Sequence, residues 1–433
     1  MTRDERQQVG LQKWMKYNCR ATLMWATGTG KTVAAIKAIK LFLTKNENKV
    51  ITVIVPSEYL KLQWLQKLFE QGLIPQVSVE IINSAINKST QIDFIILDEV
   101  HRMASTFFYL IFKQRNPKII LGLSATFNRL DGKHELLNEY CPVCDVITVR
   151  EAIENDWLSS YREYKVVLQV DDFSVYQEKT QEFFSTFAYF GNNFTTAMNC
   201  VAGVKKGNKV VVPAHIVRYK YAESLCTLDK NHPDYRNVVN GILKEVTAVA
   251  FSWNRALQAR KEFVMNHPKK IEIARKILQA RPQSKAITFS ATIKQAEKIK
   301  IGMSLHSGKT KAKNKITMEE FLKLPYGVLN TSKSLDQGAD IPGLNLAVIL
   351  SNSSSSLQKT QRIGRVLRLE EGKQSEVFTL VIKDTNEEHW YNNSTEGKEY
   401  LEITEAELDS ILRYEKLEKT TQEGYSVDPL FRF

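Results

Sequence analysis

The sequence is poor in cysteine: five in 433 residues, at Cys19, Cys141, Cys144, Cys200 and Cys226. An odd, scattered set in so long a chain argues against a disulfide framework and for a reducing compartment. Cys141 and Cys144 form a C-x-x-C, but no second pair stands near it, which argues against a zinc site. No apolar run is long enough to cross a bilayer, so no membrane partner is expected. The first residues, Met1-Thr2-Arg3-Asp4-Glu5-Arg6, are charged and lead into no apolar signal region. These absences point to a cytoplasmic protein. Acidic excess is also missing. Lys and Arg number 60 against 48 Asp and Glu, a formal net charge of +12 that suits a polyanionic partner such as nucleic acid. Hydrophobic content of 43% and charged content of 25% are ordinary globular values, and the length suits two or three domains.

What is present centres on Leu23-Met24-Trp25-Ala26-Thr27-Gly28-Thr29-Gly30-Lys31-Thr32. Apolar residues lead in, glycines fill the middle, and a helical pattern follows from Val33. A strand, a phosphate-cradling loop and a helix are the natural reading. Glycine lets backbone N–H groups close on a triphosphate, and the helix N-terminus adds partial positive charge. Thr27, Gly28, Thr29 and Gly30 would form the cradle. Lys31 would reach the outer phosphates and Thr32 would take Mg²⁺. Trp25 departs from the strict motif, which has glycine at its place. Upstream, Gln7 lies in a stretch of helical spacing. Its amide offers the donor and acceptor that adenine needs, although a solvated surface glutamine fits the spacing as well.

Val50–Val55 reads as a buried strand stopped by Pro56, and a helix follows with Leu60, Leu62, Trp64, Leu65 and Leu68 as its stripe. Phe94-Ile95-Ile96-Leu97 runs straight into Asp98 and Glu99. A strand ending in Asp puts that carboxylate at the ligand-binding edge of a parallel sheet. Asp98 can then hold Mg²⁺ and Glu99 can orient a water. Lys118–Leu123 is a further strand, ending in Ser124-Ala125-Thr126, whose hydroxyls can hydrogen-bond across to Asp98 or His101.

Together the Ala-Thr-Gly-Thr-Gly-Lys-Thr loop, Asp98-Glu99-Val100-His101 and Ser124-Ala125-Thr126 resemble the DExH-type superfamily 2 helicases. The exit Phe127-Asn128-Arg129-Leu130-Asp131-Gly132 resembles the branch that holds type III restriction motors, repair helicases and phage recombination helicases. In that family the place of Trp25 is often not glycine. The resemblance implies that Gln7 reads adenine, that His101, Ser124 and Thr126 couple hydrolysis to motion, and that Pro56 and Ser57 touch the strand. Gln361-Arg362-Ile363-Gly364-Arg365-Val366-Leu367-Arg368 is similar to the family's last motif. It implies that Gln361, Arg365 and Arg368 serve catalysis by reaching ATP from the second domain. Gly338 and Asp340 match the motif that touches the nucleic-acid backbone and the sugar, and Thr331 belongs to the strand leading into it.

The fold expected is α/β: two tandem RecA-like parallel-sheet domains with a mostly helical insert. The boundaries read from the sequence are 1–148 for the first domain, 149–383 for the second with the insert at about 171–280, and 384–433 for an acidic tail docked by an amphipathic helix. In the insert, Lys205, Lys206 and Lys209 interrupt an aromatic-rich helical pattern and are candidates for phosphate contact. Most of the aromatics are expected to pack the insert's own core. His306-Ser307-Gly308-Lys309-Thr310 lacks phosphate-loop spacing, and a loop through Lys309 to Lys315 on the nucleic-acid face is expected instead. The function expected is an ATP- and Mg²⁺-dependent DNA helicase or translocase acting as a monomer on single-stranded, forked or branched DNA. The alternatives are an RNA-directed helicase or a motor that does not unwind. Compactness and the absence of a nuclease motif suggest a phage or mobile-element enzyme.

Overall fold

The computed structural model describes residues 1–44, 49–103, 110–125, 135–205, 231–332, 341–351, 374–395 and 400–413. Two parallel sheets dominate it. The first has six strands in the order β3-β2-β4-β5-β1-β6: β1 Arg20–Trp25, β2 Ile51–Val55, β3 Val77–Ile81, β4 Phe94–Asp98, β5 Ile119–Ser124 and β6 Val143–Ile147. Strands β2 and β4 are buried along their whole length. That is why they read as unbroken apolar runs rather than alternating ones: helices cover both faces of such a sheet.

The second sheet has seven strands in the order β13-β7-β12-β11-β8-β10-β9. These are β7 Tyr161–Leu168, β8 Lys285–Ser290, β9 Met303–His306, β10 Gly327–Ser332, β11 Leu344–Ile349, β12 Ser375–Ile382 and β13 Leu401–Thr404. All its pairings are parallel. Strand β7 pairs with β12 along eight residues although the chain leaves the sheet directly after it. It leaves into a separate compact unit, Gln169–Lys269. There the helices Ser174–Tyr189, Phe194–Lys205 and Pro233–Asn266 close over Phe183, Phe190, Cys200, Ile242, Val246 and Trp253. Among the described residues most of the insert's aromatics do pack its own core, but Phe184, Phe194 and Phe251 stay exposed.

Two stretches differ from expectation. Residues 401–413 are not one helix. Leu401–Thr404 forms the edge strand β13, with Ile403 buried and Glu402 and Thr404 exposed, and the helix starts only at Glu405. Alternation over four residues is a strand signal that the neighbouring leucines hid. The tail's acids take part in its docking: Glu387 is fully buried against Lys270 at 2.6 Å, and Glu402 accepts from Lys165 at 2.8 Å. The lysine-rich stretch after Thr310 is not a loop. Lys311–Lys323 is a helix whose first turn is capped by the Thr310 hydroxyl, accepting from the Lys313 N–H. A Thr N-cap before lysines with good helix propensity starts a helix.

Candidate nucleotide-binding site

Strands β4, β5 and β1 are neighbours, with Asp98 level with Leu123 and Leu123 level with Leu23. Their C-terminal ends therefore deliver Asp98-Glu99, Ser124 and the glycine loop to one edge. The loop has the backbone that a phosphate cradle needs. Gly28 and Gly30 lie at φ +90° and +94°, in the left-handed region. A Cβ on Gly30 would stand 2.2 Å from the Gln7 Nε2, and one on Gly28 would stand 2.8 Å from a Leu158 methyl. The helix Lys31–Leu43 follows with no side chain capping its N-terminus. Its first N–H groups thus remain for an anion. Thr29 is buried and its hydroxyl donates to the Ala26 carbonyl at 2.8 Å, closing the turn. Thr27 and Thr32 are both partly exposed, Thr32 in the first turn of that helix.

Lys31 folds back, donating from Nζ to the carbonyls of Trp25 at 2.9 Å and Ala26 at 3.3 Å. Burial pushes its ammonium below the ordinary value, against the pull of Glu99 and Asp98. A phosphate oxygen is a stronger, charged acceptor than these carbonyls. Asp98 is buried; burial and then the Glu99 charge push its carboxyl up to about 6, while the Trp64 indole and Lys31 oppose. Trp64 Nε1 donates to Asp98 Oδ2 at 2.9 Å and the Glu99 N–H donates to Oδ1 at 3.1 Å. Each carboxylate oxygen keeps a second lone pair, so the residue fits a Mg²⁺ ligand. Glu99 has φ +54°, an unusual backbone for a glutamate, and functional sites are where such strain collects. His101 Nδ1 faces both the Ser124 hydroxyl at 2.9 Å and a Glu99 carboxylate oxygen at 3.4 Å. The expected coupling residues His101 and Ser124 are thus in contact.

Gln7 is buried against the loop. Its Nε2 donates to the Thr29 carbonyl at 3.2 Å and its Oε1 accepts from Lys37 at 3.0 Å. The amide keeps one N–H and one lone pair for a base. Ser57 caps the helix Glu58–Glu70, accepting from the Leu60 N–H at 3.4 Å, and Pro56 precedes it at partial exposure. On that helix Leu60, Trp64 and Leu68 are buried, but Leu62 faces solvent. Lys309 Nζ donates to the Ser304 carbonyl at 2.8 Å and stays partly exposed. Thr331 is different. It is buried inside the second sheet, with its hydroxyl donated to the Thr288 carbonyl at 2.7 Å. Thr126, Lys206, Lys209, Gly338, Asp340, Gln361, Arg365 and Arg368 lie outside the described residues, as does the side chain of Lys205.

The sequence reading missed one cluster. Asp145, on β6, accepts from Trp25 Nε1 at 2.7 Å, from Arg6 Nη1 at 2.7 Å and from Lys13 Nζ at 2.6 Å. Arg6 also reaches Glu151 at 2.9 Å. The hydrogen bonds from Arg6, Lys13 and Trp25 outweigh burial and hold the Asp145 carboxyl below the usual range. The helix Arg3–Lys16, which carries Gln7, is thereby tied to the foot of the phosphate loop. A buried Trp needs an acceptor for its N–H, so Trp25 was the available signal. Only the fold shows which acceptor it found. Trp64 likewise reads in the sequence as part of a helix's apolar stripe, and the structure joins its indole to Asp98.

Residues 2–84 and 73–129 match the family described as type III restriction enzyme, res subunit, and residues 269–370 match the helicase conserved C-terminal domain. The chain is a superfamily 2 helicase of the type III restriction-like branch. Helicases of this kind hydrolyse ATP, and in this one the glycine loop and the Asp98 and Glu99 carboxylates lie at the same β1–β5–β4 edge. The helicase is 24% identical over 404 residues to a protein named DNA 3'-5' translocase XPB2 from Sulfurisphaera tokodaii, covering 88% of this chain and 81% of that one. It is 25% identical over 377 residues to a protein of Sulfolobus islandicus filamentous virus named as a helicase, covering 82% of this chain and 59% of that one. The solved structure of S. cerevisiae Dbp5 bound to RNA and ADP BeF3 matches with a TM-score of 0.58 at 14% identity, covering 94% of this chain and 92% of that one. At that identity the likeness speaks to the fold alone.

Proposed function

We propose that this helicase couples Mg²⁺–ATP hydrolysis to movement along DNA and remodels or unwinds forked and branched DNA. The observation that carries the reading is the shared edge of β4, β5 and β1, which brings Lys31, Asp98, Glu99, His101 and Ser124 to one place. In this reading Thr27 to Thr32 hold the phosphates through backbone N–H groups and Lys31 exchanges its loop carbonyls for phosphate oxygens. Thr32 and Asp98 hold Mg²⁺, which when bound neutralises phosphate charge. Glu99 positions the attacking water and accepts its proton. Gln7 senses the base. Gln361, Arg365 and Arg368 complete the site from the second domain, with Asp340 at the sugar. Pro56, Ser57, Gly338, Lys309 and the lysines Lys205, Lys206 and Lys209 contact the track. The resemblance of the chain to a protein named as a DNA translocase supports DNA over RNA.

ATPase activity measured with single-stranded, duplex, forked and four-way DNA and with RNA tests this. DNA stimulation that is greatest for forks and junctions is expected. Stronger stimulation by RNA, or equal rates on tailed duplex and junction, overturns the corresponding part. A second reading, a translocase that does not separate strands, is favoured by the name of the same relative. A strand-displacement assay decides between them.

A further inference from the structure

The helical unit Gln169–Lys269 holds a cation in a place built for an apolar side chain. On the helix Pro233–Asn266 the buried stripe runs Ile242, Val246, Ala250, Trp253, Ala256, Arg260 and Val264. That spacing is a helix-packing seam, and the helix Ser174–Tyr189 lies against it. Arg260 is 5% exposed, and its Nε is shut off from solvent. Among the described residues no oxygen accepts from its guanidinium. Three aromatic faces hold it instead: Phe183 at 4.6 Å, Tyr176 at 5.5 Å and Phe184 at 5.7 Å. The hydroxyl of Thr180, which falls between Tyr176 and Phe183 on the facing helix, is also buried with no partner.

A seam of this kind would pack better with Leu or Met, because a buried cation loses hydration that aromatic faces only partly replace. The retained guanidinium keeps its N–H donors unspent, in the fork that matches a phosphate. Phe184 beside it is 57% exposed, so a bare ring adjoins an unspent cation. The acids of the facing helix are already engaged: Lys179 is 2.8 Å from Glu178 and 2.9 Å from Glu182, and Ser252 donates to Glu182 at 2.7 Å, while Glu262 on the helix of Arg260 is exposed. Exposed Arg255 and partly exposed Lys261 on the same helix add positive charge.

We propose that Arg260 and Phe184 form a single-strand contact in the insert, the guanidinium on a backbone phosphate and the Phe184 ring beneath an unpaired base. The proposal rests on the reading of the chain as a DNA-directed motor. The aromatic faces fix the guanidinium plane, so little side-chain freedom is left to lose on binding. Stacking on Phe184 tolerates any base, which suits a motor that moves through sequence.

The test is binding of full-length protein to a fluorescent oligo-dT and to a blunt duplex across a salt series, with R260M, R260K and F184A. F184A, at an exposed ring, should weaken oligo-dT binding about tenfold with folding intact. R260M should weaken it similarly and flatten the slope of log K on log salt by about 0.7. Duplex binding should change less, and ATPase without DNA should be unchanged. R260M should melt no lower than the wild type, and R260K should recover part of the salt slope but not the full affinity. If R260M and F184A both bind oligo-dT with wild-type affinity and slope, Arg260 only sets the helix seam and the proposal falls. If R260M fails to fold, F184A decides alone, since unchanged binding there removes the stacking partner and the proposal with it. If the wild type shows no DNA-stimulated ATPase at all, the motor reading itself has failed.

Discussion

Trp25 occupies the first position of the phosphate loop, where bulk is unexpected, and its neighbours show how the fold accommodates it. The indole is fully buried with its N–H on Asp145, and a Cβ on Gly10 would stand 2.2 Å from its ring. The large residue at one position therefore requires the absent side chain at the other. D145N should leave the buried Arg6 with only the partly exposed Glu151 and the Val146 carbonyl, and destabilise the protein by about 3 kcal/mol. The depressed carboxyl gives this a pH signature. A group whose folded pKa lies below its unfolded value of about 3.9 contributes stability above that value and loses it as pH falls through the folded pKa. The gap in melting temperature between wild type and D145N should thus be constant from about pH 7 to pH 5 and narrow only below about pH 4. Narrowing already between pH 7 and pH 5.5 would contradict it. At Glu99 the expected effect is chemical. E99Q keeps Lys31, Thr32 and Asp98, so ATP affinity should stay near wild type while turnover drops by at least about 100-fold. Near-normal turnover would remove Glu99 from its role.

Among the elements, the insert is the one whose charge and packing divide by residue. Phe183, Phe190 and Trp253 fill its own core, while the basic break begins where the helix Phe194–Lys205 ends. Replacing Lys205, Lys206 and Lys209 with Ala should weaken DNA binding without altering ATPase in the absence of DNA. Every phosphate of a single strand that is deprived of its lysine should reduce the salt slope by about 0.7. An unchanged slope would return these lysines to a solvated surface. The helix Lys311–Lys323 calls for a different account from the loop expected there. Lys311, Lys313 and Lys315 stand near the start of the helix, where they oppose the dipole, while Lys323 lies in its last turn. Lys309 just before it is tethered to Ser304, which fixes its direction.

For the whole molecule, the proposed mechanism divides the chemistry between the two sheets. The first carries the loop and carboxylates, and the proposed arginines belong to the part of the chain between β11 and β12 of the second. R365A should lower the rate of DNA-stimulated hydrolysis by about 10³-fold or more, with ATP affinity falling much less, because the first domain holds most of the nucleotide. Single-turnover rates beside nucleotide titrations separate the two. A parallel fall in rate and affinity would make Arg365 a ground-state ligand. Basic residues in both the insert and the Lys309–Lys315 stretch also underlie the preference proposed for forked DNA, since a blunt duplex offers only one arm to two positive surfaces.

The sequence by itself determined the order of the motifs, the two-sheet α/β class and the placing of Lys31, Asp98 and Glu99 at strand ends. These are local matters. A glycine loop between a strand and a helix, or an apolar run ending in a carboxylate, is set by backbone geometry within a few residues. The partners across the fold were decided only by tertiary structure. Strand β6 carries Asp145 beneath Trp25, the Glu58–Glu70 helix aims Trp64 at Asp98, and a strand from before the insert pairs with one from near the tail. Thr331, in the strand leading into the backbone-contacting motif, is turned inward by the sheet. Such contacts join residues 34 to more than 200 positions apart. Neither periodicity nor spacing encodes which buried donor will meet which acceptor; that follows from strand order and from the requirement that buried polar groups be satisfied.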